Sequence, residues 1–341
     1  MSEDNKLRYI LLEVTDKCNF RCRHCRVYGW DEIKNPLETK EIYSLIDQAK
    51  KMGVETITFT GGEPLLRSDI IEIIKYCSSK GISSKLQTNG SLVTEKIIKD
   101  LKKAGLKIFG TGIDGSTEKI HSDLRQSKNS LQKVKDAIKL AKKNGLEVHT
   151  ETTITKLNHK DINKIMNLAE KLGVNCFFVR SIVIAGCAEN DLIITKQEYK
   201  KVLESVYKKK YKKSKTKFTS QDPLFHLIDK KLMKKLETKY GDIYSGKYYG
   251  GCVAGLNTIN VKSDGDVRIC SFLPLSIGNI RTNKLEKIWG EKRNYCERIV
   301  DRKIEGKCEN CKNKYICGGC RSRALILNKN LYGEDPFCWK K

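Results

Sequence analysis

The sequence predicts an α/β protein, a partial (β/α)6 TIM-like barrel of parallel strands followed by a C-terminal cysteine-rich domain built around metal or iron–sulfur centres. Three observations predict it. Over the first 190 residues short apolar runs alternate with amphipathic, lysine-rich stretches, several of which end in glycine. Beyond about residue 190 this cadence stops. The last roughly 90 residues carry glycine and cysteine where a core would need periodic apolar residues, and bound metal is the usual substitute.

Strands are read in order at 8–14, 54–60, 82–88, 107–113, 147–154 and 174–184. Between them 39–52, 69–79, 94–104, 131–144 and 159–172 place apolar residues at helical spacing. Gly53, Gly81, Gly105, Gly145 and Gly173 follow these helices as left-handed caps. Six units are fewer than the eight of a closed barrel. Residues 195–240 read as basic helices broken at Asp222-Pro223, and short elements are expected from Tyr248 onward. The expected domains are therefore 1–190, a basic helical linker at 191–247, and the cysteine-rich domain at 248–341.

At 341 residues and 38.9 kDa, with 39% apolar and 31% charged residues, the chain can bury a large core and is neither collagen-like nor disordered. No apolar run approaches the roughly 18–20 residues of a membrane span, and the N-terminus lacks a signal layout, so the cytoplasm is expected. The net charge of +25 would attract nucleic acid, anionic membrane or an acidic protein. Its densest run, KKKYKKSKTK at 208–217, has no accompanying nucleic-acid motif and reads as a surface segment. Fourteen cysteines in a chain without an export signal point to metal or iron–sulfur ligation rather than disulfides.

Cys18, Cys22 and Cys25 follow the first strand at CxxxCxxC spacing, on a loop at the functional end of a barrel strand. Three thiolates there can hold three irons of a cubic [4Fe–4S] cluster and leave the fourth open to bind and reduce a substrate. A zinc site completed by His24 or a distant residue is the alternative. The loop, with Phe20 in CNFRC, resembles the signature of radical S-adenosylmethionine (AdoMet) enzymes. Gly61-Gly62-Glu63-Pro64 is similar to that family's GGEP turn, Thr88-Asn89-Gly90 to its TNG segment, and Gly112-Ile113-Asp114-Gly115 with His121 and Arg125 to its SxDG and His-xxx-Arg segments. The resemblance implies Cys18, Cys22 and Cys25 as cluster ligands and Gly61, Gly62 and Glu63 around the methionine of AdoMet, the carboxylate meeting its ammonium. It implies Asn89 as a polar contact and Arg125 as a carboxylate partner. Gly112 stands where the family has serine, so that contact would come from Thr111, Thr152 or elsewhere.

The C-terminal cysteines, Cys252, Cys270, Cys308, Cys311, Cys317, Cys320 and Cys338, resemble the SPASM extension that carries auxiliary [4Fe–4S] clusters in radical AdoMet enzymes. The resemblance implies two clusters, one on Cys308, Cys311, Cys317 and Cys338 and the other on Cys252, Cys270 and Cys320. The latter is one cysteine short of closed, since 247–251 offers none; it would have an open iron, a noncysteine ligand, or Cys296. A zinc ribbon is the alternative for these cysteines. Cys77 and Cys176 read as small buried apolar residues, Cys187 lies past the sixth strand at the functional end, and Asp264-Gly265-Asp266 reads as a tight turn between short strands.

The function implied is reductive cleavage of AdoMet and hydrogen abstraction by a 5'-deoxyadenosyl radical. The leading expectation is a maturase acting on a peptide or protein side chain. Only 17 residues precede Cys18, so no fused leader-binding domain is expected there. The runner-up is a tetrapyrrole enzyme acting on the propionates of a haem precursor; basic residues such as Arg321 and Arg323 would suit either carboxylate-rich haem precursors or acidic peptides. A non-catalytic iron–sulfur electron-transfer protein is the third reading. A ferredoxin or flavodoxin would be the electron donor, its docking steered by the positive charge.

Overall fold

The computed structural model describes residues 6–27, 35–245 and 250–340. Every expected strand and helix of the first 190 residues is present: β1 (Tyr9–Thr15), α1 (Thr39–Lys51), β2 (Thr56–Gly61), α2 (Ile70–Ser79), β3 (Ser83–Gln87) and α3 (Glu95–Lys103) lead into β4 (Ile108–Gly112). A helix not read from the apolar pattern, α4 (Glu118–Arg125), then precedes α5 (Ser130–Lys143), β5 (Glu147–Ile154), α6 (Ile162–Lys171) and β6 (Cys176–Ser181). The five glycines expected as caps all have positive φ, between 70° and 88°. Strands β1 to β6 pair in sequence order and in parallel, the register expected of consecutive right-handed βα units.

The alternation along each strand decides what its two faces do. Ile10, Leu12, Ile57, Phe59, Leu86, Phe109, Val148, Phe177 and Val179 are buried beneath the helices. The other face presents Glu13, Thr60, Lys85, Gln87, His149, Glu151 and Arg180, polar and charged side chains that a closed barrel would have to exclude, together with Phe178. An open, partial barrel with a polar inner face results.

Two expectations are corrected here. The basic linker is not wholly helical: between α7 (Lys196–Lys210) and α8 (Lys230–Tyr240) lies β7 (Lys217–Ser220), which pairs in parallel with β6. Its basic run is a working part of the fold. Lys208, Lys209 and Lys210 sit in the last turn of α7, where cations suit the helix dipole; Lys209 meets Glu170 and Lys210 meets Asp229, each at 2.5 Å. The cysteine-rich part also adds strands to the barrel sheet: β8 (Thr258–Val261) pairs in parallel with β1, and β9 (Asp266–Arg268) and β10 (Ser276–Asn279) follow it antiparallel. The ten strands run in the order β10-β9-β8-β1-β2-β3-β4-β5-β6-β7.

The turn expected at Asp264-Gly265-Asp266 joins β8 to β9, with Asp264 Oδ1 accepting from the Asp266 N–H at 3.0 Å. After β10 come α9 (Leu285–Glu291), α10 (Arg293–Val300), α11 (Lys314–Cys317) and α12 (Arg321–Asn328). One apolar core spans both regions, taking in Ile259, Val261 and Trp289 with Ile10 and Leu45. Arg281 clamps the two together by gripping Glu41 of α1 with Nε and Nη2 at 2.6 and 2.9 Å. The boundary expected at 247–248 lies outside the described residues. No described helix is long and apolar enough to cross a membrane.

Candidate functional site

The loop after β1 holds Cys22 buried and Cys18 and Cys25 half-buried. It is fastened to the turn after β2: the Gly62 N–H donates to the Thr15 carbonyl at 2.7 Å and the Glu63 N–H to that of Lys17 at 2.8 Å. A Cβ on Gly62 would overlap the Lys17 carbonyl oxygen, so the two segments can lie this close only because the residue is glycine. Glu63 is fully buried, with Oε1 accepting from the Leu65 N–H (3.0 Å) and the Thr88 hydroxyl (2.7 Å) and Oε2 from the Asn89 N–H (2.7 Å). Burial pushes its carboxyl up, and these donors oppose the shift. A carboxylate offers about four lone-pair positions, so one acceptor site is left for a cation.

Asn89 and Arg125, expected as AdoMet contacts, are both engaged inside the protein. Asn89 Nδ2 donates to Asn19 Oδ1 at 2.8 Å and Asn19 Nδ2 to Ser91 Oγ at 2.8 Å, which ties the cysteine loop to the segment after β3. Arg125 grips Asp114 Oδ2 with Nε at 2.7 Å and Nη2 at 2.5 Å. Against the cost of burial, Asp114 and Cys22 hold its pKa up. Burial in turn drives the Cys22 thiol up to about 12, with Arg125 opposing, so the thiolate needs a metal or cluster iron as well. A Cβ on Gly112 would overlap Arg125 Nη2, which explains why this position departs from serine: the guanidinium fills the space. Of the two replacement hydroxyls, Thr152 is spent on the Ile113 carbonyl (2.6 Å), while that of Thr111 is buried without a partner among the described residues.

Asp114 is the residue that motif reading undervalued. Fully buried, it takes Arg125 on Oδ2 and the Thr153 N–H on Oδ1 at 2.9 Å, and it stands 3.9 Å from His24 Nε2. His24 and His121 are both pulled down to about 4 by burial and are neutral at neutral pH. Cys187 donates its thiol to the Cys22 carbonyl at 3.3 Å and its N–H to the Cys25 carbonyl at 3.0 Å, buttressing the loop from behind.

Cys308, Cys311, Cys317 and Cys338 line one pocket together with Asp335, Gly318 and Gly319. Cys252 lies near enough to Cys270 and Cys320 that its charge would raise the pKa of each. The fold thus assembles the two expected sets. Cys296 instead donates to the Lys292 carbonyl of its own helix at 3.1 Å. Among the described residues no three His, Cys, Asp or Glu side chains close on a single point as one ion would require; a cubic cluster, with irons at separate corners, does not ask this of its cysteines. The three sets fit clusters in a further respect. In each, a backbone N–H two residues on points at a sulfur: Phe20 at Cys18 (3.4 Å), Phe272 at Cys270 (3.5 Å) and Gly319 at Cys317 (3.4 Å). Such donors stabilise a ligating thiolate.

Arg321 and Arg323 are buried structural residues and do not face a substrate, contrary to expectation. Arg323 joins Asp222, Asp335 and Ser181, and Arg321 Nη1 donates to the Gly333 and Leu331 carbonyls at 2.6 and 3.2 Å. The cations that do face the inner sheet surface are Lys85 and Arg180, which share Glu151 at 3.1 and 2.7 Å, and Arg26, which pairs with Glu13. Arg180 and Lys85 hold the Glu151 carboxyl down to about 2 despite its burial. The guanidiniums of Arg26 and Arg180 lie 6.0 and 5.9 Å from the ring centre of Phe272, and Phe178 lies beside Lys85.

Residues 12–172 match the family model of the radical SAM superfamily, and residues 252–312 match that of the SPASM iron–sulfur cluster-binding domain. The chain belongs to the radical SAM superfamily and is an enzyme of its SPASM-bearing branch. Among curated proteins it is 30% identical to the AdoMet-dependent heme synthase of Methanosarcina barkeri (strain Fusaro), covering 98% of this chain and 97% of that one. It is 25% identical to the PqqA peptide cyclase of Rhizobium meliloti (strain 1021), covering 96% and 86%. Streptococcus suis SuiB, solved with S-adenosylmethionine bound, shares the fold with a TM-score of 0.78 at 19% identity, over 98% of this chain and 78% of that one. The greater likeness to the heme synthase shifts the balance from the leading peptide expectation to its tetrapyrrole alternative.

Proposed function

We propose that this enzyme acts on a tetrapyrrole, removing hydrogen from a carboxylate-bearing side chain in the formation of a haem. The observation that carries this reading is the 30% identity, over nearly the whole of both chains, to a protein named AdoMet-dependent heme synthase. When bound, the clusters and AdoMet would supply one-electron chemistry: an electron for reductive cleavage of AdoMet, a 5'-deoxyadenosyl radical to take hydrogen from an unactivated carbon, and an acceptor for the electron that leaves the substrate radical. The residues divide the remaining work. Cys18, Cys22 and Cys25 hold the first cluster; Gly61, Gly62 and Glu63 seat the methionine, the free acceptor position of Glu63 meeting its ammonium. Asn89 and Arg125 act as positioning residues through Asn19 and Asp114. Cys308, Cys311, Cys317 and Cys338 hold one auxiliary cluster, and Cys252, Cys270 and Cys320 hold a second with one position for a noncysteine ligand.

On the inner face, Lys85, Arg180 and Arg26 anchor substrate carboxylates, and Phe178 and Phe272 offer the apolar faces a macrocycle needs. The test is anaerobic incubation of reconstituted enzyme with AdoMet, a reductant and either a propionate-bearing iron tetrapyrrole or candidate peptides, read by mass spectrometry. Tetrapyrrole-dependent mass loss is expected, with 5'-deoxyadenosine formed alongside. Lys85→Met and Arg180→Met should each raise KM about tenfold, the scale of a lost charge-assisted hydrogen bond. Modification of a peptide with no change in the tetrapyrrole sinks the reading. We also propose a small acidic ferredoxin or flavodoxin as electron donor, steered by the +25 charge. Its reduction rate should fall as salt rises, and a salt-independent rate counts against it.

A further inference from the structure

Arg302 and Arg321 are, at about 1% exposure each, among the most deeply buried cations of the chain, and no carboxylate pairs with either among the described residues. Arg302 Nη2 donates to the carbonyls of Gly250 and Cys252 at 2.7 and 2.6 Å, yet its Nε and Nη1 have no acceptor among the described residues. Arg321 Nη1 is held by carbonyls, while among the described residues its Nε and Nη2 also have none. Four buried N–H-bearing nitrogens without acceptors among the described residues, on two guanidiniums that no carboxylate pairs with there, are too costly to be incidental. An anion belongs beside them.

Their placement says which. The open edge of Arg302 lies against Gly318: a Cβ there would stand 2.5 Å from Cζ and 2.6 Å from both Nε and Nη1. The open edge of Arg321 lies against Gly319, whose Cβ would stand 2.6 Å from Nη2. These two glycines are the link in Cys317-Gly-Gly-Cys320, and both have positive φ, 68° and 57°. Cys317 belongs to one cysteine set and Cys320 to the other. Arg302 interacts electrostatically with Cys252 and Cys317, one from each set, and Arg321 with Cys308. The glycine pair therefore leaves room for two guanidiniums at the junction of two clusters. Each cluster brings negative charge from its thiolates and sulfides.

We propose that Arg302 and Arg321 are positioning residues of the auxiliary clusters, donating their free N–H groups to cluster sulfur and holding the reduction potentials up by charge compensation. The inference rests on the assignment of the seven C-terminal cysteines to two clusters. A guanidinium stabilises the reduced, more negative cluster more than the oxidised one, so its removal lowers the potential. It also lessens the repulsion between two anionic clusters, which would otherwise oppose reduction of the second.

The test uses the full chain with Cys18, Cys22 and Cys25 replaced by alanine, so that only C-terminal clusters report. Iron and sulfide are assayed, and the clusters are titrated anaerobically against potential by paramagnetic resonance. Arg302→Gln and Arg321→Gln should each shift the reduced-to-oxidised ratio at fixed potential about tenfold toward oxidised, about 59 mV for a one-electron couple. Arg302→Lys, which keeps the charge, should recover more than half of that shift. Loss of iron in the glutamine variants but not in the lysine variant also supports the proposal. Unshifted titrations at full iron content overturn it, as do lysine and glutamine variants that titrate alike or lose iron alike. A parent protein with no iron–sulfur signal removes the cluster assignment itself, and the proposal with it.

Discussion

Arg323→Met is expected to destabilise the protein by about 3–5 kcal/mol, the usual result of removing one partner from a buried ion pair. Arg323 is the cation at the centre of a buried cluster that joins three distant segments. Its Nη1 meets Ser181 at the end of β6 and Asp222 after β7, while Nε and Nη2 take the two oxygens of Asp335 at 2.9 and 2.6 Å. Without it, two carboxylates stay buried with only backbone and hydroxyl donors. Asp335 Oδ2 also accepts from the Cys320 N–H at 2.7 Å, so a displaced Asp335 disturbs the cysteine set beside it.

The pH dependence has a definite sign. Although burial raises it, Arg323 holds the Asp222 carboxyl below its ordinary range, so its contribution is full at neutral pH and fades as pH falls through that range. In the variant the carboxylates are unpaired and gain from protonation. The difference in stability should therefore shrink on acidification. Urea denaturation at pH 7 and in mild acid measures both effects; a loss under about 1 kcal/mol at pH 7 would show the cluster to be solvated.

None of this cluster is visible in the sequence, where Arg321 and Arg323 look like cations available to a substrate. Sequence separation is the reason: Ser181, Asp222 and Asp335 become neighbours only once β6, β7 and the C-terminal segment have docked. Local features were legible. The helix–Gly–strand cadence is set by apolar period and backbone handedness within each unit, and its six strands and five capping glycines are all found. Strand β7 escaped notice because four residues, Lys-Phe-Thr-Ser, carry too short an alternation inside a lysine run.

The cysteine motifs announce their chemistry because ligand spacing is local on the first loop and nearly so in the C-terminal run. Asn89 and Arg125 were legible as candidate AdoMet contacts, but the partners that engage them were not. Their partners, Asn19 and Asp114, lie 70 and 11 residues away, and only the fold shows that they brace the loop. The absent serine at Gly112 likewise becomes intelligible once the Arg125 guanidinium is seen in its place.

The same bracing makes Gly62→Ala the substitution with the largest expected effect on catalysis for the smallest change in atoms. The new methyl would overlap the Lys17 carbonyl, one residue before Cys18, so the turn and the cysteine loop must separate. Separation weakens the Gly62–Thr15 and Glu63–Lys17 hydrogen bonds that set the loop against the Glu63 carboxylate. A displacement on the order of 1 Å between groups that must meet is worth about 100-fold in rate, and 5'-deoxyadenosine formation should fall by that much. The C-terminal cysteines lie in another part of the chain, so the spectral signal of the clusters proposed there should persist while that of the first declines. Gly290→Ala in α9 is the control, since a Cβ there meets nothing within 4 Å and alanine favours the helix. If Gly62→Ala cleaves AdoMet as fast as the parent protein, the turn does not position the cysteine loop, and Glu63 must act from a place this packing does not define.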